Sequence, residues 1–193
     1  MGLLAALRAT MRGEMRAKDV VAVVAALERV GVRSWLAGGW GVDALLGRQT
    51  RHHDDLDLVI SDFDDQRVAA CEALAPLGFQ VASLEVPPPW MADCCFLEDG
   101  AGRRIDLDTI DWGRLRDTLG VAPPSPGITA ERGAFGEAVS TGTVAGRELH
   151  CLSVAAQLIV HIGFEPPSRR RRSVDRHDLR VLAALSARTG RRY

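Results

Sequence analysis

GGWGVDALLGRQTRHHDDLDLVI, residues 38–60, is the stretch around which the rest of this chain arranges itself. From Asp54 to Ile60 it alternates, with Asp55, Asp57 and Val59 set against Leu56, Leu58 and Ile60. A period of two marks a strand. Such a strand buries its aliphatic face and carries two carboxylates on the other, about 6–7 Å apart. Like charges held so close repel unless a cation sits between them, and a divalent metal meets that need. Upstream, residues 34–37 (SWLA) read as a short strand running into Gly38-Gly39, and residues 40–47 (WGVDALLG) as a short helix closed by Gly47. Glycine lets backbone come close to phosphate oxygens, and a helix start directs free N–H groups at them. In this order the parts suit a nucleoside triphosphate carried with its metal.

A helix is expected over residues 18–30 from the spacing of Val20, Val21, Val24, Leu27 and Val30, stopped by Gly31. Residues 62–77 form a further expected helix with Asp62 as N-cap. Strands are expected at 79–86, 93–98 and 103–110. The last of these, RRIDLDTI, again alternates, with Asp106 and Asp108 on one face and Ile105 and Leu107 on the other. Either aspartate is a candidate third carboxylate, Asp106 ahead of Asp108. Residues 113–137 read as an extended loop and 139–151 as a hairpin around Ala145-Gly146. Two helices, 153–163 and 174–187, flank the Pro166-Pro167 break. The pattern predicts a mixed α/β (α+β) core over residues 1–151 and a C-terminal helical segment, 152–193, packed on it.

Composition narrows the function classes. The 193 residues are 47% hydrophobic and 25% charged, ordinary for a globular chain with a real core. A formal net charge of −1 gives no general attraction to nucleic acid, and no apolar run reaches membrane-spanning length. Charge is nonetheless polarised. Six aspartates lie between Asp54 and Asp65, and nine arginines between Ser168 and Tyr193. The Arg169–Arg172 run reads as a solvated helix start. Cys71, Cys94, Cys95 and Cys151 make no C-x-x-C pair, so a zinc site or disulfide scaffold is not expected and a cytoplasmic setting fits. Cys94 and Cys95 read as small buried strand residues, and the four tryptophans as core or pocket wall.

The combination GGW-x-x-D-x-x-x-G, then T-R-x-H, then D-L-D, resembles the signature of the aminoglycoside and lincosamide nucleotidyltransferases of the polymerase-beta-like superfamily. RIDLD at Arg104–Asp108, HIGF at His161–Phe164 and DRHDLRVL at Asp175–Leu182 extend the likeness. The resemblance implies a polymerase-beta-like core, a mixed sheet flanked by helices. It also implies magnesium, two ions, held by Asp55, Asp57 and Asp106, with Asp106 activating the acceptor hydroxyl. Gly38 and Gly39 would touch the triphosphate of ATP or another nucleotide, and Thr50, Arg51 and His53 would line the same pocket. The implied reaction moves a nucleoside monophosphate, AMP foremost, to a hydroxyl of a small molecule such as an antibiotic, releasing pyrophosphate. Relatives often carry Lys-Asp at the start of the last helix. Here Val174 precedes Asp175, so that phosphate contact is absent or falls to Arg172 or Arg176.

The sequence allows two other readings. A nucleotidyltransferase-fold component of a toxin–antitoxin or nucleic-acid-modifying system would share the core, but a nucleic-acid acceptor usually draws a basic groove. His53-Asp54, His161 and His177-Asp178 superficially suit a His/Asp phosphohydrolase, whose ligands sit on helices, whereas Asp54 leads a strand. Monomer and homodimer both remain open.

Overall fold

The computed structural model describes residues 13–61, 63–83, 91–110, 138–163 and 173–188. Helix α1 (Ala17–Arg29) leads into β1 (Ser34–Leu36), α2 (Gly38–Leu46) and β2 (Asp55–Ile60). Helix α3 (Phe63–Leu74) ends in a short 3₁₀ turn, Ala75–Leu77, and is followed by β3 (Gln80–Ser83), β4 (Met91–Glu98) and β5 (Arg104–Ile110). A hairpin of β6 (Val139–Val144) and β7 (Arg147–Leu152) precedes α4 (Val154–Gly163) and α5 (Ser173–Arg188).

The seven strands form one mixed sheet in the order β3-β4-β5-β2-β1-β7-β6. β2 and β5, the two D-x-D strands, are central neighbours and run parallel, while β1 pairs antiparallel with β2 on its other side. Alternation does what the sequence predicts. Leu56, Leu58, Ile105 and Leu107 are fully buried on one face, in a core shared with Val20, Val24 and Leu27 of α1 and with Ala70 and Leu74 of α3. On the opposite face a smaller cluster joins Val59 and Ala37 to Leu152 and Ala156, with Trp35, Ile159 and Val160 against it. That patch covers one end of the face and leaves the aspartates of β2 and β5 on the rest. Helices α4 and α5 pack on each other and on α2. Among the described residues no helix is long and apolar enough to cross a membrane.

Most expected elements match within a residue or two. The hairpin turns at Ala145 (φ 50°) and Gly146 (φ 77°), the paired left-handed geometry that suits a two-residue connection. One boundary differs informatively. The helix predicted from residue 40 begins at Gly38, so the Gly-Gly pair is the first helical turn and not a loop before it. Gly38 turns the chain off β1 at φ +51°, a conformation costly for residues with a Cβ. Strand β3 is shorter than the expected 79–86, and residues 84–90 lie outside the described ones. So do the expected loop 113–137, Asp62 with its capping role, the Pro166-Pro167 break, Arg169–Arg172, Trp90 and Trp112. Cys71, Cys94, Cys95 and Cys151 form no disulfide, and the last three are buried. Burial pushes the Cys151 thiol up to about 12, which leaves it unreactive.

Candidate active site

The parallel ladder of β2 and β5 sets Asp55 beside Arg104, Asp57 beside Asp106 and Val59 beside Asp108. Four carboxylates therefore share one face of two adjacent strands, with Asp57 and Asp106 as immediate neighbours. Asp106 and Asp108 are each 7% exposed, and Asp57 is only partly open to solvent. Asp57 shows the electrostatic consequence most clearly. Burial, and then the charges of Asp55, Asp106 and Asp108, raise its carboxyl well above the usual range, against a weaker pull from Arg104. Burial followed by the charge of Asp106 raises Asp108 in the same way.

Arg104 brings a cation into this group. Its Nη2 donates to Asp106 Oδ2 at 2.6 Å, its Nε lies 2.6 Å from Asp106 Oδ1, and Nη2 is 3.8 Å from Asp55 Oδ2. Among the described residues, no three potential ligands already stand as a closed metal cage. The donor set fits magnesium all the same. Its oxygens are hard and anionic, they come from two rigid strands, and Asp108 Oδ1 is buried without a hydrogen-bond partner among the described residues.

Gly38 stands against these carboxylates. A Cβ placed on it would lie 1.8 Å from Asp57 Oδ2, so the start of α2 and the Asp57 side chain are in closest approach only because residue 38 has no side chain. Ala37 N donates to Asp57 O, pinning the turn to β2 at 3.0 Å. No side chain caps the first turn of α2, which leaves its leading N–H groups facing the same region, as an anion site requires.

Thr50, Arg51 and His53 surround this turn from behind, and the residue organising them is one the sequence reading passed over. Asp43, 1% exposed on α2, accepts from Thr50 N at 3.1 Å, from Thr50 Oγ1 at 2.5 Å and from His53 Nε2 at 2.6 Å. Burial pushes the Asp43 carboxyl up, but the bonds from His53 and Thr50 outweigh it and hold it below its ordinary value. An ionised Asp43 requires the proton of His53 to sit on Nε2. The imidazole lies on Trp40, ring centroids 4.6 Å apart. With the Thr50 hydroxyl hydrogen given to Asp43, His177 Nε2 is left to donate to Thr50 Oγ1 at 3.0 Å. Arg51 forms a bidentate pair with buried Asp178 of α5, at 3.0 and 2.7 Å.

His53, His177 and Asp178 are thus occupied in holding the 48–53 segment, which removes the metal-hydrolase pattern they suggest in sequence. Gly39 is crowded by that segment: its Cβ would fall 2.2 Å from Arg51 Nη2 and 2.6 Å from His53 Nδ1. The structure therefore brings Gly38, Gly39, Asp55, Asp57 and Asp106 to one place. Arg51 borders it, while the Thr50 and His53 side chains point into the supporting network. Asp43 was legible as the aspartate of GGW-x-x-D, seven residues before Thr50 and ten before His53, but spacing alone does not show that all three converge.

Residues 19–182 match the Aminoglycoside-2''-adenylyltransferase family. A lincosamide resistance protein of Staphylococcus haemolyticus is 30% identical over 77% of this chain and 85% of its own length. A 2''-aminoglycoside nucleotidyltransferase of Klebsiella pneumoniae is 31% identical over 68% of this chain and 64% of its own. Among solved structures, a lincosamide antibiotic adenylyltransferase with lincomycin bound superposes with a TM-score of 0.58 at 25% identity, covering 87% of this chain and 96% of that one. The complex of ANT(2'')-Ia with adenylyl-2''-tobramycin shares the fold, with a TM-score of 0.61 at 22% identity over 90% of this chain and 91% of that one. The chain belongs to the aminoglycoside-2''-adenylyltransferase family and is a nucleotidyltransferase.

Proposed function

We propose that this enzyme transfers AMP from ATP to a hydroxyl of an aminoglycoside or lincosamide antibiotic in a magnesium-dependent reaction. The observation that carries the reading is the lateral pairing of Asp57 with Asp106 across parallel strands, directly under the uncapped helix turn at Gly38. Asp55, Asp57 and Asp106 would hold the magnesium, two ions in the family pattern, which supplies positive charge for the triphosphate and its transition state. The N–H groups at Gly38 and Gly39 meet the phosphate oxygens, with the positive end of α2 behind them. The 48–53 segment keeps that turn in place through Asp43 and Asp178.

In the transfer, the acceptor oxygen forms a bond to the α-phosphorus while the α–β phosphoanhydride bond breaks and pyrophosphate leaves. Asp106 takes the hydroxyl proton. A positioned base contributes about 10²–10⁴-fold to such a step. Relatives named for lincosamides and for 2''-aminoglycosides match to a similar degree, so both acceptor classes belong in the test. The purified chain is incubated with ATP, magnesium and a panel of both, and products are read by mass spectrometry. Gain of one adenylyl group by a panel member, with pyrophosphate release, is the expected result. No product with any member would reject the antibiotic acceptor, and absent pyrophosphate release would reject the transfer itself.

A further inference from the structure

The guanidinium of Arg104 stands where the proposed metal ligands converge. It donates from Nη2 to Asp106 Oδ2, brings Nε within 2.6 Å of Asp106 Oδ1, approaches Asp55 to 3.8 Å, and rests over the Phe96 ring of β4 with Cζ 5.0 Å from the ring centroid. Its position follows from register. Arg104 is paired with Asp55 across the ladder and lies two residues before Asp106 on the same face, so its side chain spans the gap between them. Its charge is secure, because the bond to Asp106 and the charges of Asp106, Asp55 and Asp57 outweigh burial. Asp57, between these two partners, has no ion-pair partner among the described residues.

The guanidinium lies within ion-pair distance of two of the three proposed ligands, Asp106 and Asp55. A divalent cation entering among Asp55, Asp57 and Asp106 meets the positive guanidinium already lying 2.6 Å from Asp106, so the two cations repel and compete for the same carboxylates. We infer that Arg104 is an exchangeable counter-ion: it neutralises Asp106 and Asp55 in the metal-free enzyme and gives them up when a divalent cation binds. Phe96 provides the resting place that makes exchange cheap, since the guanidinium keeps its ring contact after leaving the carboxylates. This rests on the metal-site reading above. It adds that the site opposes its own metal until enough cation is present to displace Arg104.

The test uses manganese as probe, with the full chain and no nucleotide. Free Mn²⁺ is counted by electron paramagnetic resonance for the parent, Arg104→Met and Asp57→Asn. Arg104→Met should tighten Mn²⁺ binding about tenfold, the worth of one exposed-side charged hydrogen bond. It should also lower the melting temperature without metal and enlarge the rise that metal produces. Asp57→Asn should lose the binding. Equal or weaker Mn²⁺ affinity in Arg104→Met overturns the inference while leaving the metal site standing. No Mn²⁺ uptake by either the parent or Arg104→Met overturns both. Should Arg104→Met fail to fold, the parent decides. Its Arg104 Nε–H resonance, assigned by its loss in Arg104→Lys, must shift on titration with magnesium. A resonance unmoved at saturation rejects the exchange.

Discussion

Gly38→Ala and Gly47→Ala form a matched pair that separates backbone strain from damage to the carboxylate cluster. Both glycines have positive φ, +51° at the start of α2 and +77° at its end. A left-handed alanine costs roughly 1–2 kcal/mol, so each variant should lose that much stability. For a chain of this size, 1 kcal/mol lowers Tm by about 2–4 °C. Their surroundings differ completely. A Cβ at Gly47 meets nothing within 4 Å, whereas one at Gly38 falls 1.8 Å from Asp57 Oδ2 and 2.6 Å from its Cγ. Because the struck atom ends a side chain, the fold survives, but the carboxylate must retreat by about 1 Å or more. A misplacement of that size costs on the order of 10²-fold in rate. Thermal denaturation and steady-state transfer kinetics on the same preparations decide the matter. Gly38→Ala should melt only slightly lower than the parent and lose about 100-fold in kcat/KM, while Gly47→Ala keeps parental kinetics. If the two variants lose activity equally, the position of Asp57 against the helix start does not govern the reaction.

Three further outcomes are expected. Asp55→Asn and Asp57→Asn should each abolish magnesium-dependent transfer with the fold retained, since amides lack the charge that the metal needs; circular dichroism and pyrophosphate release check both, and activity within a few-fold of the parent contradicts the metal site. Asp106→Asn should depress kcat strongly while ATP still binds, and Asp108→Asn should cost less because Asp108 lies beside Val59 and not beside Asp57; the reverse order in steady-state kinetics would move the third carboxylate by two residues. Asp43→Asn should cost about 2 kcal/mol at neutral pH by disturbing hydrogen bonds to a buried charge. The Asp43 carboxyl is held below its ordinary 3.8, so its contribution is present above that value and lost as pH falls through the lower folded one; urea unfolding of parent and variant should converge in that acid window, and a constant gap would disprove the linkage.

What could be read from the sequence follows the range of the forces involved. Strand β2 was legible because its signal is local: Leu56 and Leu58 are wholly buried and Asp55 and Asp57 face outward, so a period of two in the sequence is a period of two in burial. In β5 the sequence alternates in the same way, although Asp106 and Asp108 are buried along with Ile105 and Leu107, and two strands with matched polar faces made a shared carboxylate site an inference from pattern. Their pairing was not local. That β2 and β5 are parallel neighbours depends on the chain crossing through α3, β3 and β4, and only the ladder decides that Asp106 sits beside Asp57. Gly38 shows the same limit. Its sequence suggested room for phosphate, yet the nearest group is the Asp57 carboxylate brought in from another strand. The supporting roles of Asp43 and Asp178 went unread for a related reason. A buried aspartate is tolerable only where donors converge on it, and those donors, Thr50, His53 and Arg51, reach it from a loop whose path has no periodic signature. Chemistry at the site is written in short motifs, but the support that aims it is written in contacts 127 residues apart, such as Arg51 with Asp178. The C-terminal helix therefore supports the site, since its Asp178 holds the Arg51 side chain that lies against Gly39.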